Sequence, residues 1–362
     1  MSRIVIDARE SGTTTGRYVD KLIEHLHSLE SDHQFIVLTK PHRLPYIHAV
    51  APRFTAIASP YKEFTFAEQF RLLRQIHSLK PDLVFFSMVQ QPLLYFGKTV
   101  TMMQDLTTVR FRNPQKNWFV FTIKREIYKF VNVWVAHKSR HILTPTEFVK
   151  RDVMQYCRVS GDKITVTLEA ADKILDKPKP FKQLLDKAFI MYVGRPLPHK
   201  NLPRLIDAFV ELQKTNPNLY LVLVGKTDLL YERIATDTKK RGITNVLFTD
   251  FVTEGELRWL YEHTRAYVFP SLSEGFGLPP IEAMMHGAPV VSSNASCMPE
   301  VIKDGALYFN PLDINDMSHN IDIVINDKQI ANNLRSKGSF VAGGYSWSRM
   351  AKQTLRVINK YV

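Results

Sequence analysis

Ala266-Tyr-Val-Phe-Pro-Ser-Leu-Ser-Glu-Gly-Phe-Gly-Leu-Pro-Pro-Ile-Glu-Ala-Met-Met-His-Gly-Ala-Pro-Val-Val-Ser-Ser293 decides the fold. Ala266–Phe269 and Pro289–Ser292 are short apolar runs of the kind that fill buried parallel strands. Between them, Gly275 and Gly277 make a permissive loop. Pro279 and Pro280 stand where a first helical turn tolerates proline, and Gly287 is placed to end that helix. The unit therefore reads strand, loop, helix, strand. Its loop falls at the carboxyl end of a parallel strand, where open α/β sheets bind ligands. The N–H groups of a helix start favour an anion. Glu274 precedes the loop, and Glu282 is expected in the first helical turn. Two carboxylates beside a phosphate-type loop suit a sugar nucleotide, one accepting from sugar hydroxyls and the other from ribose hydroxyls.

The same alternation runs outward in both directions. Arg3–Asp7, Gln34–Leu38, Asp82–Ser87, Thr99–Met103 and His141–Thr144 read as strands, with helices such as Arg17–Leu29 and Phe64–Leu79 between them. Phe189–Val193, Tyr220–Val224 and Val246–Thr249 restart the pattern, and Thr253-Glu-Gly-Glu256 is a capping box. Two such series predict an α/β fold of two doubly wound domains. The first spans 1–171 and the second 187–345. A linker at 172–186 contains Lys177-Pro-Lys-Pro180, which resists helix and sheet alike. A last helix over Ser346–Tyr361 is expected to pack back on the first domain. After Phe189–Val193 comes a second loop, Gly194-Arg-Pro-Leu-Pro-His-Lys-Asn201. Gly194 permits close backbone approach, Arg195 offers a planar fork of donors and Lys200 a point charge. No acid interrupts them, which suits a diphosphate. His137 and His141 are expected to favour the dipole of a helix end.

The chain has 362 residues, 45% of them hydrophobic and 23% charged, the balance of a folded protein rather than a disordered chain. No run approaches a membrane span, and Met1–Glu10 lacks the form of a signal peptide. Cys157 and Cys297 are the only cysteines, which fits a reduced, cytoplasmic compartment. The net charge is +13. Residues 1–180 carry 27 basic and 17 acidic side chains, and residues 110–151 carry ten Lys or Arg against two Glu. Phe111, Trp118, Phe119, Phe121, Tyr128, Phe130 and Trp134 are interleaved among those charges. Such a mixture fits an anionic membrane surface or an anionic acceptor. The plain alternative is a solvated helix face with its aromatics in the core.

Glu274-Gly-Phe-Gly-Leu-Pro-Pro-Ile-Glu282-Ala-Met, followed by Gly287-Ala-Pro-Val-Val-Ser, closely resembles the Glu–seven-residue–Glu motif of family-4-type retaining glycosyltransferases (glycosyl transferases group 1). Gly194-Arg195…Lys200-Asn201 resembles that family's donor-diphosphate loop. Ser296-Cys-Met-Pro-Glu300-Val, Thr144–Asp152 and Ser346-Trp-Ser resemble further segments. The resemblance implies the GT-B fold, two Rossmann-like domains facing a central cleft. It implies that Arg195 and Lys200 contact the donor diphosphate, Glu274 the transferred sugar and Glu282 the ribose. Backbone groups at Gly194, Gly275, Phe276, Gly277 and Leu278 would face the donor. Gly12-Thr-Thr-Thr-Gly16 resembles the family's glycine loop, which places Gly16 near donor and acceptor. Asp105 occupies a family position, but Gln104 stands where many relatives carry His and cannot shuttle a proton. Thr167-Leu-Glu169-Ala-Ala-Asp172 also departs from the pattern.

The expectation is a retaining hexosyltransferase that needs no metal and no cofactor, with Glu274, Asp105, Arg195 and Lys200 as its catalytic set. GDP-mannose is the favoured donor. A glycan or polyprenyl-linked hydroxyl is the acceptor, and the protein lies on the inner face of the membrane through residues 110–151. A sugar-nucleotide epimerase on the same scaffold and a basic nucleic-acid-binding protein are the competing readings. The second lacks any recognisable reading module.

Overall fold

The computed structural model describes the backbone of residues 1–111 and 118–362, and their side chains except those of 118–120. In the basic segment 110–151, Arg112 and Lys116 and the side chains of Trp118 and Phe119 therefore lie outside the described residues. The chain divides into two compact units. Unit 1 is Met1–Val109, Thr122–Glu169 and Ser346–Val362; unit 2 is Arg110–Phe121 with Ala170–Tyr345.

In unit 1 the described residues form seven strands: β1 (Arg3–Asp7), β2 (Gln34–Thr39), β3 (Thr55–Ala58), β4 (Leu83–Phe86), β5 (Thr99–Met102), β6 (His141–Thr144) and β7 (Ile164–Val166). They pair in parallel in the order β3-β2-β1-β4-β5-β6-β7. Chain order reverses between β1 and β4, so the carboxyl ends of these two strands flank a topological switch point. In unit 2, β8 (Phe189–Val193), β9 (Tyr220–Val224), β10 (Val246–Phe248), β11 (Ala266–Phe269), β12 (Val290–Ser293) and β13 (Ala306–Phe309) form a parallel sheet ordered β10-β9-β8-β11-β12-β13. Its switch point lies between β8 and β11. These are the two strands whose loops the sequence marks.

Both sheets are buried because their central strands are apolar on both faces. Ile4–Ile6, Leu83–Phe86, Phe189–Tyr192 and Ala266–Phe269 are all sealed from solvent. β3, β7 and β13 extend the predicted sheets at their edges. The predicted helix Phe64–Leu79 is built differently. Ala67–Leu72 is a π-helix that runs into an α-helix at Leu73–Ser78. Glu68 explains the departure: its carboxylate takes the N–H of Phe64 at 2.9 Å and Arg9 at 3.0 Å, which turns an acid inward at the start of the segment.

The last helix, Trp347–Tyr361, belongs to unit 1 and packs on Arg17–His27. Trp347, Met350, Ala351, Thr354, Val357 and Ile358 recur at helical spacing on its buried face. Ser346 caps it by accepting from the Arg349 N–H. The expected dipole role for His141 is not what the structure shows. His141 is the first residue of β6, and its ring nitrogens meet Thr165 Oγ1 at 2.8 Å and the Tyr361 hydroxyl at 3.0 Å. Among the described residues no helix is long and apolar enough to cross a membrane.

Two outcomes follow. The capping box of the helix Glu254–His263 is complete, with Thr253 and Glu256 bonded reciprocally. Thr253→Ala is expected to cost about 1 kcal/mol and to lower the Tm of unit 2 by a few degrees in calorimetry. Burial, reinforced by Lys360, Lys163 and Lys150, pushes His141 down to about 4. The unfolded chain therefore takes up the proton first, and this contribution to stability is full above about pH 6.5 and lost as pH falls toward the folded value. The His141 ring resonance in NMR should not titrate between neutrality and mild acid, and a midpoint near the ordinary value would contradict this burial.

Candidate active site

In unit 2 the loop after β8 and the loop after β11 are fastened at successive levels. The Leu272 N–H donates to the His199 carbonyl at 2.7 Å. Asn201, in the left-handed region at φ 62°, donates from its side-chain amide to the carbonyls of Pro270 (3.1 Å) and Pro311 (2.8 Å). Between these ties, Lys200 Nζ meets Glu274 Oε1 at 2.5 Å, both side chains being mostly buried. The ammonium also lies 5.6 Å from the centre of the Phe269 ring. The structure thus joins the cation of one predicted loop to the carboxylate of the other at the switch point.

The neighbours set these groups in place. The Glu274 N–H donates to Ser296 Oγ at 3.1 Å, and the Cys297 thiol reaches the Glu274 carbonyl at 3.2 Å. Burial, with help from Glu274 and Glu300, pushes the Cys297 thiol far up, so it stays protonated and able to donate. Tyr231 donates to the Gly194 carbonyl at 2.7 Å, and Tyr192 to that of Arg195 at 3.2 Å. Arg195 itself is exposed, its guanidinium 3.8 Å from Asp228. Burial and the neighbouring Lys200 push His199 down to about 4, so it is neutral near pH 7. His199 is half-buried, not a fully solvated loop histidine.

The helix after the second loop is Leu278–Met285, capped by Gly277 at φ 90°. The backbone conformation at Gly277 favours glycine there; a Cβ would fall 2.6 Å from Met298 Cε, the movable end of a flexible side chain. Pro279 and Pro280 carry no N–H. The amide donors at this helix start are therefore those of the loop and of Gly277 and Leu278, because the Ile281 N–H already closes the first helical turn. Glu282 is half-buried and falls one residue past the expected first turn, because the helix begins at Leu278. Phe276 is buried and meets the Tyr345 ring edge-on at 5.3 Å.

Unit 1 holds the remaining predicted residues. Gly16 precedes the helix Arg17–His27, and a Cβ there would lie 1.7 Å from the Glu10 carbonyl oxygen, so only glycine fits. Asp105 accepts the Thr107 N–H at 2.7 Å. With Gln104 it lines a cavity of about 410 Å³, to which Glu10, Thr15, Glu63, Phe64 and Tyr128 also contribute. Glu10 and Glu63 share Lys40 at 3.7 and 3.5 Å. Burial and contact with Glu63 push Glu10 above the usual carboxylate range. Glu169, unassigned by the sequence, is buried against Gln104, and burial pushes it up to about 7.

The sequence reading missed Arg9. It is fully buried, paired with Asp7 at 2.8 Å and Glu68 at 3.0 Å, and it donates to the carbonyls of Tyr61 and Gln90. Arg9 thereby fixes two of the chain segments beside the cavity. Its signal was Asp7-Ala-Arg9-Glu10 at the carboxyl end of the first strand, with three charged residues where a loop ought to meet a ligand. Among the described residues no group of three His, Cys, Asp or Glu is arranged to hold a metal ion.

The pair makes its own prediction. Lys200→Met strands the Glu274 carboxylate and should destabilise unit 2 by roughly 2 kcal/mol, less than a fully buried pair because both groups are partly exposed. Adding Glu274→Gln should recover part of the loss. A double-mutant cycle should give a coupling above about 1 kcal/mol, and simple additivity would contradict the contact.

Residues 175–339 match the model of glycosyl transferases group 1, and residues 15–170 that of Glycosyltransferase Family 4. The chain is 30% identical over 230 residues to O-antigen chain mannosyltransferase B of Escherichia coli, covering 60% of each chain. It is 32% identical over 196 residues to O-antigen chain mannosyltransferase RfbU of Salmonella typhimurium, covering 53% of this chain and 52% of that one. The match thus spans half to three-fifths of the length of these relatives. Among solved structures, a sucrose-phosphate synthase from Thermosynechococcus elongatus aligns with a TM-score of 0.77 at 17% identity over 99% of both chains. Anabaena Alr3699/HepE in complex with UDP and glucose aligns with a TM-score of 0.76 at 16% identity, over 99% of this chain and 100% of that one. These likenesses are of fold, and the fold is GT-B.

Proposed function

Because the two halves of this chain belong to the Glycosyltransferase Family 4 and glycosyl transferases group 1 families, we propose that it transfers a hexosyl group from a nucleotide diphosphate sugar to an acceptor hydroxyl with retention of configuration. One observation carries the reading: the Lys200–Glu274 pair, at 2.5 Å, between the loops at the switch point of unit 2. A sugar diphosphate offers a complement to each member of that pair. Its phosphates take the ammonium of Lys200 and the exposed guanidinium of Arg195. The sugar hydroxyls donate to Glu274, and the ribose hydroxyls to Glu282. The loop amides around Phe276, Gly277 and Leu278 add neutral donors.

In the transfer, the bond from the anomeric carbon to the diphosphate oxygen breaks and a bond to the acceptor oxygen forms on the same face. The acceptor proton passes to the departing diphosphate. Arg195, Lys200 and the loop amides stabilise the charge that develops there, without a metal ion. In unit 1, Asp105 orients the acceptor in the cavity that it lines. GDP-mannose is the proposed donor, a reading supported by mannosyltransferases among the relatives. The acceptor is a glycan or polyprenyl-linked hydroxyl, met at an anionic membrane surface on the cytoplasmic side. Nothing in these relatives favours an epimerase or a nucleic-acid-binding protein.

The test is release of nucleoside diphosphate from a panel of GDP- and UDP-sugars in the presence of chelator. GDP-mannose should turn over fastest, with an α-linked product by NMR. Glu274→Ala and Lys200→Ala should each lower turnover by about 10²-fold or more in variants that remain folded. Undiminished turnover in those variants would overturn the assignment.

A further inference from the structure

Unit 1 leaves large apolar side chains exposed, and they are not scattered. Apart from Met1, those among the described residues fall in three segments, near residues 64–70, 94–96 and 123–134. Phe66 and Phe70 are one helical step apart and stack with ring centres 6.4 Å apart; Phe66 is 84% exposed. Leu94 and Phe96 stand out from the loop after β4. On the helix Trp118–Lys138, Ile123, Ile127, Phe130 and Trp134 recur every three or four residues, which places them on one face. That face is solvent-exposed, so Phe130 and Trp134 depart from the core alternative, whereas Phe121 is buried and Tyr128 packs against the core as that alternative expected.

Hydrogen bonds lace the three segments together. The Gln69 side chain accepts the Leu93 N–H at 2.8 Å and donates to the Gln91 carbonyl at 3.1 Å. Trp134 Nε1 donates to the Leu93 carbonyl at 3.0 Å, and Lys138 Nζ to that of Pro92 at 2.7 Å. Charge follows the same surface. Arg71, Arg74, Lys98 and Lys124 are exposed, whereas Glu68 is buried on Arg9. Glu126 is the one exposed acid among the described residues of these segments, and it is paired with Lys129 at 2.8 Å and Arg125 at 3.4 Å. A contiguous aromatic surface with cations and no free acid is complementary to lipid, whose headgroups supply the anions and whose acyl boundary takes the rings.

We infer that unit 1 docks on an anionic bilayer through this three-segment surface, two parts of which lie outside residues 110–151. Phe66, Phe70, Phe96 and Phe130 enter the headgroup–acyl boundary, and the arginines and lysines meet lipid phosphates. Phe64 and Tyr128, with ring centres 6.1 Å apart, border both the surface and the Asp105 cavity. Docking therefore sets that cavity beside the lipid layer, where a lipid-borne acceptor is presented. The inference deepens the membrane reading given above, but its binding step needs neither donor nor transfer.

The experiment is co-sedimentation of the full chain with vesicles of phosphatidylglycerol and phosphatidylcholine, compared with phosphatidylcholine alone. Binding to the first, weakened by salt and accompanied by a blue shift of tryptophan fluorescence, is expected. Phe66→Ser/Phe70→Ser/Phe130→Ser should weaken it at least about tenfold, because three rings lose their apolar burial. Arg71→Ser/Lys124→Ser should erase the preference for phosphatidylglycerol. Thermal unfolding checks that both variants fold. GDP release from GDP-mannose without vesicles, measured on the same samples, separates failure of docking from failure of the transferase reading. Absence of binding to phosphatidylglycerol vesicles, binding that survives the triple substitution, or a dimer that the triple substitution dissolves would overturn the proposal.

Discussion

The contact between Lys200 and Glu274 is the constraint on which the account of unit 2 rests. A parallel sheet that reverses its chain order between β8 and β11 delivers two loops to neighbouring positions at its carboxyl edge. Backbone and side-chain ties from His199, Asn201 and Leu272 hold those loops in register. An ammonium and a carboxylate, mostly withdrawn from water, then have each other as partners. Removing either leaves the other poorly solvated, so a ligand that separates them is matched by an anion for the ammonium and a hydrogen-bond donor for the carboxylate. The chemistry proposed for the site is a consequence of that requirement.

Unit 1 follows a different electrostatic plan. Among the described residues, its excess of basic side chains does not line its cavity. Among the described residues the lining includes Glu10, Glu63 and Asp105, with Thr15, Gln90 and Gln104, and no lysine or arginine. Behind the cavity, the buried cation Arg9 is consumed by Asp7 and Glu68 and by two carbonyls. Such a lining suits an uncharged, hydroxyl-rich group better than an anion. The positive charge appears instead on the outer surface, among exposed aromatics. Composition alone merges these two environments into one net number, which is why the basic balance invited the idea of an anionic acceptor.

Much of the fold is legible in the sequence because central parallel strands must be apolar on both faces. Arg3–Asp7, His141–Thr144, Phe189–Val193, Tyr220–Val224 and Ala266–Phe269 can be delimited to the residue for that reason. Edge and short strands carry less of this signal. Thr55–Ala58 is only partly buried, and Ile164–Val166 has three residues. The two loops of unit 2 are legible because glycine, proline and charge cluster beside strands. What the sequence cannot display is pairing across distance. Arg9 reads as an exposed charge until Glu68, 59 positions away, is seen against it. The exposed face of Ile123, Ile127, Phe130 and Trp134 has the spacing of a core stripe, but it is Val131, Val135 and Ala136 of the same helix that enter the core.

The central claim is that the carboxyl edge of unit 2 is built for a diphosphate held by cationic side chains and amides. Calorimetric titration with GDP and with GMP, in chelator, against the unaltered chain and Arg195→Ala tests it most directly. The account predicts that GDP binds more tightly than GMP without divalent metal, and that Arg195→Ala narrows the difference between them. Equal affinities for the two nucleotides, or binding of GDP only when magnesium is restored, would contradict it.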